Sequence, residues 1–322
     1  MNRITARGLF LFVAMSVMIN ALSVEARAEK RIGVLMFSEE VRYSEVRKGI
    51  MDQLKKDGFL EPAVKFTIEN AGSSKAKATE LAQKFAEARM DLIFTIGTSA
   101  AIPVAKAIKD VPIVFSLVYD PVETGIAEGW KSSGNNTTGA SSRVPMLMLV
   151  NSLKRIAPVK RLAVLYTPGE KHTEIILKEL QKLEVDSKIR VVPVIITKKE
   201  DAVQVLTAVL RTVDAISLPG SSVYYSSIPE IMDMAAKAKV ITVTHIEEYV
   251  DKGALLGICP NPYLIGLLAG EKAVKILRGA KPSSIPIEPL KKFDVILNKK
   301  TATAGEFKIP PDFMKMVTKT IE

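Results

Sequence analysis

Short β-branched segments alternate with helical patterns along this chain, and the whole alternation occurs twice. In the first half, four segments have the composition of strands buried on both faces, and three segments between them have apolar residues at helical spacing. The strand segments are Arg31–Phe37, Val64–Glu69, Asp91–Ile96 and Pro112–Ser116, and the helical segments are Val41–Asp57, Ser74–Ala88 and Ser99–Ile108. Alternation at this spacing predicts right-handed βαβ units and a parallel sheet flanked by helices.

The second half repeats the scheme with its own four strands and three helices. The strand segments are Arg161–Tyr166, Ile189–Ile196, Ala215–Leu218 and Val240–Thr244, and the helical segments are Lys171–Leu183, Lys199–Thr212 and Ile228–Lys237. The local amino-acid sequence repeats as well, since RIGVLMFSEE at 31–40 resembles RLAVLYTPGE at 161–170. We therefore predict an α/β protein of two similar lobes, each a parallel sheet with helices around it.

Additional elements after the second unit predict a hinge of several strands. A polar turn at 135–142 is the expected first crossing between the lobes. A strand at 254–258 ends at Pro260-Asn261-Pro262 and precedes a long helix, and a last strand at 293–297 precedes a terminal helix. We expect the chain to return to the first lobe and cross back. This assigns 29–142 plus 259–288 to lobe I, and 143–258 plus 289–322 to lobe II.

The first 28 residues have the three parts of a secretory signal peptide. Arg3 and Arg7 precede the apolar run Leu9–Leu22, and a small-x-small cleavage site ends at Ala28. The apolar run is shorter than the roughly 20 residues that span a bilayer, although an uncleaved anchor remains the alternative. We expect an exported, periplasmic protein cleaved after Ala28.

Composition and motifs favour binding over catalysis. The net charge of +10 comes from lysines scattered over helix faces without interleaved aromatic residues, which indicates a solvated surface and no nucleic-acid partner. The single cysteine, Cys259, is predicted to be a buried strand residue, and with two histidines it leaves little material for a zinc site. Gly266 and Gly270 lie within a helix and match neither a dinucleotide nor a phosphate-binding loop. We predict neither cofactor nor metal nor catalytic residues.

Loops at the carboxyl ends of the strands supply the candidate binding residues, because ligands of open α/β sheets bind there. The candidates in lobe I are Ser38, Tyr43, Gly97, Thr98, Ser99, Tyr119 and Asp120, and those in lobe II are Pro168, Gly169, Glu170, Gly220, Ser221, Ser222, His245 and Glu247. A helix start at Thr98 suits a carboxylate, and Asp120 suits an ammonium group. Each also has a structural interpretation: the hydroxyl residues are ordinary helix caps, and Asp120 before Pro121 is a common turn.

Four segments resemble a known family over essentially the whole mature chain. VPIVFSLVYDPV (111–122), NTTGAS (136–141), LYTPGE (165–170) and GALLGI (253–258) are similar to an ABC transporter substrate-binding family that includes binding proteins for tryptophan and other aromatic amino acids. The resemblance implies a type I periplasmic binding fold, a solute held between the lobes and recognition of the closed form by a membrane permease. It also implies that Asp120, Gly97–Ser99, Gly169-Glu170 and the Glu247 region lie at the cleft.

One departure from the family leaves the solute open. Where such proteins commonly have a Thr-Asp-Asn type of turn in lobe II, this chain has Pro219–Ser222. We expect a monomeric receptor for an amino acid, with Tyr43, Tyr119 and Tyr224 as stacking partners, but another small carboxylate or a ligand without an amine stays open. The alternatives are an exported sensor that feeds a kinase or chemoreceptor, and an exported enzyme on the same fold.

Overall fold

Apolar, β-branched runs form two separate sheets in the computed structural model, which describes residues 29–322. Within that range the strands of the first sheet are β1 Lys30–Met36, β2 Val64–Asn70, β3 Leu92–Ile96, β4 Ile113–Val118, β5 Thr137–Ser141 and β11 Glu288–Pro289. These six strands are parallel and follow the order β11-β5-β4-β3-β1-β2. The predicted signal peptide lies outside the described residues.

The second sheet repeats the parallel arrangement and adds strands from the end of the chain. Its strands are β6 Arg161–Tyr166, β7 Arg190–Ile195, β8 Ala215–Leu218, β9 Ile241–Thr244, β10 Leu256–Cys259, β12 Asp294–Asn298 and β13 Lys319–Ile321. In the described range these seven strands follow the order β13-β12-β10-β9-β8-β6-β7, and only the β10–β12 pairing is antiparallel. The predicted α/β fold of two similar lobes is confirmed.

Amphipathic helices cover the faces of both sheets. In chain order they are α1 Val41–Lys56, α2 Lys75–Glu87, α3 Thr98–Ala107, α4 Met146–Ile156, α5 Lys171–Lys182, α6 Glu184–Ser187, α7 Lys199–Val209, α8 Ile228–Lys237, α9 Glu247–Asp251, α10 Pro262–Leu277, α11 Lys299–Ala304 and α12 Pro311–Met314. Short 3₁₀ turns lie at Tyr225–Ser227 and Pro282–Ser284. Within 29–322, none of the helices combines the length and apolar character that crossing a membrane requires.

The chain passes between the sheets three times in the described range. It leaves the first sheet after β5, returns between β10 and α10, and crosses again between β11 and β12. Helix α10 packs on α1, β4 and β5, so it belongs to the first lobe. Cys259 is fully buried in β10 and pairs with Asp294, which places it in the second sheet, one residue beyond the boundary expected from the sequence.

The chain ends on a strand and not on the expected terminal helix. The helix after Pro310 has four residues, and the chain then extends into β13 beside β12. The Thr318 backbone N–H donates to the Val295 carbonyl and begins this pairing. Edge-strand hydrogen bonds therefore outweigh the helical pattern in the last ten residues.

Candidate functional site

A cavity of about 280 Å³ lies between the two lobes, at the carboxyl ends of both sets of strands. The wall from lobe I consists of Phe37, Val41, Arg42, Tyr43, Glu45, Thr98, Ser99, Leu117, Tyr119, Ser142, Pro262 and Tyr263. The wall from lobe II consists of Glu170, His172, Gly220, Ser222, His245, Ile246, Glu247, Glu248 and Asp251, and Pro260 and Asn261 belong to the crossing beside it. This is the place where open α/β sheets bind their ligands.

The structure brings nine of the residues singled out from the sequence together at this cavity. They are Tyr43, Thr98, Ser99, Tyr119, Glu170, Gly220, Ser222, His245 and Glu247. They come from loops and helix starts of both halves of the chain, because the carboxyl ends of the two sheets face each other.

Five of the other candidates support the walls from behind. The Ser38 hydroxyl donates to Glu40, and Ser221 shares a 3.0 Å hydrogen bond with Thr167. Gly97 has φ +99°, and a Cβ there would lie 2.8 Å from the Tyr43 ring, so only glycine fits. Pro168 and Gly169 form the loop before α5, where the Gly169 carbonyl accepts a hydrogen bond from Lys75 of the opposite lobe.

Asp120 organises its own turn and lies outside the cavity wall. Its Oδ1 accepts the backbone N–H groups of Val122 and Glu123 at 3.0 Å, and its Oδ2 lies 2.7 Å from Arg143 Nη1. Both carboxylate oxygens are therefore already bonded, and the turn interpretation of the Asp120-Pro121 pair describes this residue better than an ammonium contact.

Glu170 is a buried carboxylate with one free oxygen. The side chain is 2 % exposed, and its Oε1 accepts the Ser222 hydroxyl at 2.8 Å. Its Oε2 has no hydrogen-bonding partner among the described residues. Leaving a buried charged acceptor unpaired is costly, so this oxygen is suited to a donor that a ligand supplies.

Arg42 reaches from the start of α1 across the cleft, and the sequence did not single it out. Its Nη2 lies 2.6 Å from Glu40 Oε2, and its guanidinium carbon lies 5.2 Å from the Tyr43 ring centre and 6.0 Å from that of Tyr249 in lobe II. Burial lowers the pKa of Arg42, but Glu40, Tyr43 and Tyr249 hold it above its usual value. Its Nη1 has no hydrogen-bonding partner within 29–322. A cation with a free donor therefore lies at the same cavity as Glu170.

Two histidines and a tyrosine form the neighbouring part of the wall. His172 Nε2 contacts the Gly220 carbonyl, and its Nδ1 is unpartnered among the described residues. His245 packs edge-on against Tyr119 at 5.9 Å between ring centres. Burial, with smaller contributions from Arg42 and His172, lowers the pKa of His245 to about 3, so its ring is neutral at neutral pH. Within the described range, no three His, Cys, Asp or Glu side chains are arranged to hold a metal ion.

A family model covers nearly the whole described chain. Residues 31–321 match the family described as ABC transporter substrate binding protein. A tyrosine-binding protein of Clostridioides difficile strain R20291 is 26 % identical over 297 residues, which is 91 % of this chain and 86 % of that protein.

Two solved structures give the same fold in different states. The ABC domain from Streptococcus pneumoniae in complex with L-Trp has 25 % identity and a TM-score of 0.87, covering 91 % of this chain and 100 % of that one. The ligand-free, open structure of a substrate-binding protein with adhesive properties from Clostridium difficile has 27 % identity, the same coverage and a TM-score of 0.73. At similar identity, the fold of this chain superposes more closely on the L-Trp complex than on the ligand-free, open structure.

Proposed function

Because this chain belongs to the family of ABC transporter substrate-binding proteins, we propose that the solute it captures for its transporter is an amino acid. Members of this family bind a small molecule and work with an ABC permease, and the family is not one of enzymes.

Two free polar atoms of opposite charge at one cavity carry the proposal. Glu170 Oε2 accepts hydrogen bonds and is unpaired, whereas Arg42 Nη1 donates them and is unpaired in the described chain. An α-amino acid presents an ammonium group and a carboxylate, so it satisfies both atoms at once. The start of α3 at Thr98 also lines the cavity and adds N–H groups on the side of the carboxylate.

The relatives support the same class of solute. One is named for tyrosine binding, and another was solved with L-Trp. In this chain Tyr43 and Tyr119 line the cavity. Tyr224, which the sequence suggested as a stacking partner, is fully buried and its hydroxyl donates to the Pro219 carbonyl, so it belongs to the core of lobe II.

Closure around the solute is the proposed mechanism. Arg42 of lobe I already lies beside Tyr249 of lobe II, and Lys75 Nζ donates to the Gly169 carbonyl at 3.0 Å across the cleft. A solute that bonds Arg42 and Glu170 together adds contacts that exist only when the lobes are closed, and it therefore favours the closed state.

Substrate-binding proteins of ABC transporters are exported proteins, and we extend this to the present chain. We place the protein in the periplasm as a monomer, cleaved after Ala28. Its lobes are 29–142 plus 260–288 and 143–259 plus 289–322, with the boundary moved by one residue because Cys259 pairs with Asp294 in the second sheet. The permease would recognise the closed form.

Thermal unfolding with amino acids tests the proposal. The protein from residue 29 onward is purified, unfolded and refolded to remove retained ligand, and then screened with the twenty L-amino acids. A solute at 100 times its dissociation constant adds about 2.7 kcal/mol to the free energy of unfolding. The N-acetyl and carboxamide derivatives of any amino acid that binds serve as controls.

We expect at least one amino acid to raise the melting temperature, and both derivatives to bind at least about tenfold more weakly, since each removes one of the two charges. If no amino acid changes the melting temperature of the refolded protein, or if both derivatives bind as well as the parent, the proposal is wrong.

A further inference from the structure

The cavity is acidic although the chain as a whole is basic. Five carboxylates line it, on a chain whose net charge is +10. They are Glu45, Glu170, Glu247, Glu248 and Asp251. Arg42 is the single lysine or arginine in that wall, so the local charge has the opposite sign to the protein surface.

Most cations near the cavity are already paired. Arg42 Nη2 lies 2.6 Å from Glu40 Oε2, and Lys252 Nζ lies 2.9 Å from Glu248 Oε1. Lys319 pairs with Glu247. These ion pairs leave part of the wall uncompensated.

Three carboxylates of the wall have no salt-bridge partner within 29–322: Glu45, Glu170 and Asp251. Glu170 is the buried acceptor proposed for the ammonium group. Glu248 adds a further buried acceptor, because it is 8 % exposed and its Oε2 is unpartnered in the described chain.

The unpaired acids outside Glu170 belong to opposite lobes. Asp251 ends α9, the helix that also presents Glu247 and Glu248 to the cavity. Burial and these two acids raise the pKa of Asp251 against the influence of Lys319, as expected where negative potential accumulates. Glu45 lies on α1 of lobe I and lines the same wall as Tyr263. Closure brings Glu45 and the acids of α9 to the walls of one cavity.

A neutral amino acid leaves these acids uncompensated. Its ammonium group offsets Glu170 and its carboxylate occupies Arg42 Nη1, so the solute adds no net charge. Repulsion between the remaining carboxylates grows as closure removes water from between them. A second positive charge on the solute offsets this repulsion only in the closed state, and it therefore adds both affinity and closure.

We propose that the solute is an amino acid whose side chain carries a positive charge, an ammonium or guanidinium group held by Glu45, Asp251 and the free oxygen of Glu248. This inference rests on the proposed function, because it takes the α-ammonium and α-carboxylate positions at Glu170 and Arg42 as given.

Calorimetric titration with solutes matched in shape and different in charge tests the inference. L-arginine is compared with L-citrulline, and L-lysine with Nε-acetyl-L-lysine, on the refolded protein from residue 29 onward; L-tryptophan and L-tyrosine are titrated as neutral aromatic solutes. We expect at least one cationic amino acid to bind about tenfold or more tightly than its neutral counterpart and than both aromatic amino acids. Its affinity should also fall as salt is added.

Two variants locate the effect in the named acids. Glu45→Gln and Asp251→Asn should each weaken binding of the cationic amino acid by about tenfold and leave binding of its neutral counterpart within about twofold. Glu230→Gln on the exposed face of α8 is the matched control and should change neither affinity.

Three results would overturn the inference. If L-tryptophan, L-tyrosine or a neutral counterpart binds as tightly as the cationic amino acids, the proposed positive charge on the solute's side chain is wrong. The proposed function would still stand. If Glu45→Gln and Asp251→Asn weaken binding of a cationic amino acid and of its neutral counterpart equally, these acids do not recognise the charge of the solute's side chain. If no amino acid of the panel or of the twenty-member screen binds, the proposed function is wrong as well.

Discussion

Glu170 is the residue on which the proposed solute contact depends most directly. Its carboxylate is buried, with one hydroxyl donor and one free oxygen, in a wall that also holds Arg42. Glu170→Gln keeps the shape of the side chain and removes its charge. We expect the affinity for the amino acid to fall about thirtyfold or more, since losing one partner of a buried charged pair costs about 2–5 kcal/mol. Titration calorimetry measures this change.

The ligand-free stability separates a binding role from a structural one. Glu170→Gln removes an unpaired buried charge, so we expect its free energy of unfolding without solute to equal or exceed that of the parent. Ser222→Ala is the matched control, because it removes the donor to Oε1 and leaves the charge. A Glu170→Gln protein that binds normally but unfolds more easily would contradict the assignment.

His245 links stability to acid pH. Burial lowers the pKa of His245 to about 3, below its value of about 6.5 in an unfolded chain. Between these values the unfolded chain binds a proton at His245 and the folded chain does not, so the free energy of unfolding falls as pH falls from about 6.5 towards 3. The slope stays below about 1.4 kcal/mol per pH unit, because one group exchanges at most one proton between the two states. The ring is only partly buried at the cavity wall, which narrows the pH window.

We expect His245→Gln to lose this part of the pH dependence. Urea unfolding of the solute-free protein at pH 6.5, 5.5 and 4.5 gives the slope for both proteins, and the acids common to both cancel in the difference. Equal slopes in this window would show that the ring of the parent protein protonates in the folded state.

Strand-end reasoning found Glu170, Ser222 and His245 but not Arg42. Arg42 and Tyr43 both lie in the first turn of α1, and only Tyr43 was selected. Arg42 contributes because its long side chain reaches the opposite lobe. Asp120 was selected but does not line the cavity. Its carboxylate is bonded by its own turn and by Arg143, and the sequence does not distinguish such an acid from one that is free to bind a ligand. The spacing of strands and helices along the sequence does not predict how far a side chain reaches or which local hydrogen bonds it makes.

At the scale of elements, the contact between α1 and α10 explains two glycines that the sequence left without a role. A Cβ at Gly266 would lie 2.2 Å from the Val46 carbonyl oxygen, and one at Gly270 would lie 2.6 Å from Gln53 Cβ. The glycines let the backbones of the two helices approach closely. This packing attaches α10 to lobe I immediately after the chain crosses from lobe II.

Gly266→Ala should therefore destabilise the protein although alanine favours helix. We expect a loss of about 1–3 kcal/mol from overpacking, against the gain of up to about 1 kcal/mol from helix propensity. Glu271→Ala on the exposed face of the same helix is the control and should change stability by less than about 0.5 kcal/mol. Urea unfolding measures both, and a stabilised Gly266→Ala would contradict the close contact.

Alternating patterns predicted most elements, because strands buried on both faces and amphipathic helices have distinct periods. The strands β11 and β13 were not predicted. Two or three residues such as Glu288–Pro289 and Lys319–Ile321 are too few to show a period, and they extend only because an edge of a finished sheet is there to pair with. Short edge strands depend on tertiary contacts, which a local pattern does not contain.

At the scale of the whole molecule, an ion network joins the lobes beside the first crossing. Arg143 follows β5 and contacts Asp120 of lobe I at 2.7 Å through Nη1, and its Nη2 contacts Glu179 on α5 of lobe II. The Tyr119 hydroxyl donates to the other Glu179 oxygen at 2.6 Å. Arg143 does not line the cavity, so its effect on the solute should act through the balance of open and closed forms.

Arg143→Gln should shift that balance towards the open form. The substitution leaves the carboxylates of Asp120 and Glu179, 4 % and 17 % exposed, facing each other across the hinge without a cation. We expect a larger radius of gyration in solution scattering without solute, and an apparent affinity lowered in proportion to the closed fraction. At saturating solute the radius should equal that of the parent, because solute contacts restore closure.

Lys178→Gln is the matched control. The exposed Lys178–Glu123 pair at 3.6 Å also spans the lobes, and its loss should change the radius of gyration and the affinity little. An unchanged radius for solute-free Arg143→Gln would mean that the network stabilises each lobe and does not set the angle between them.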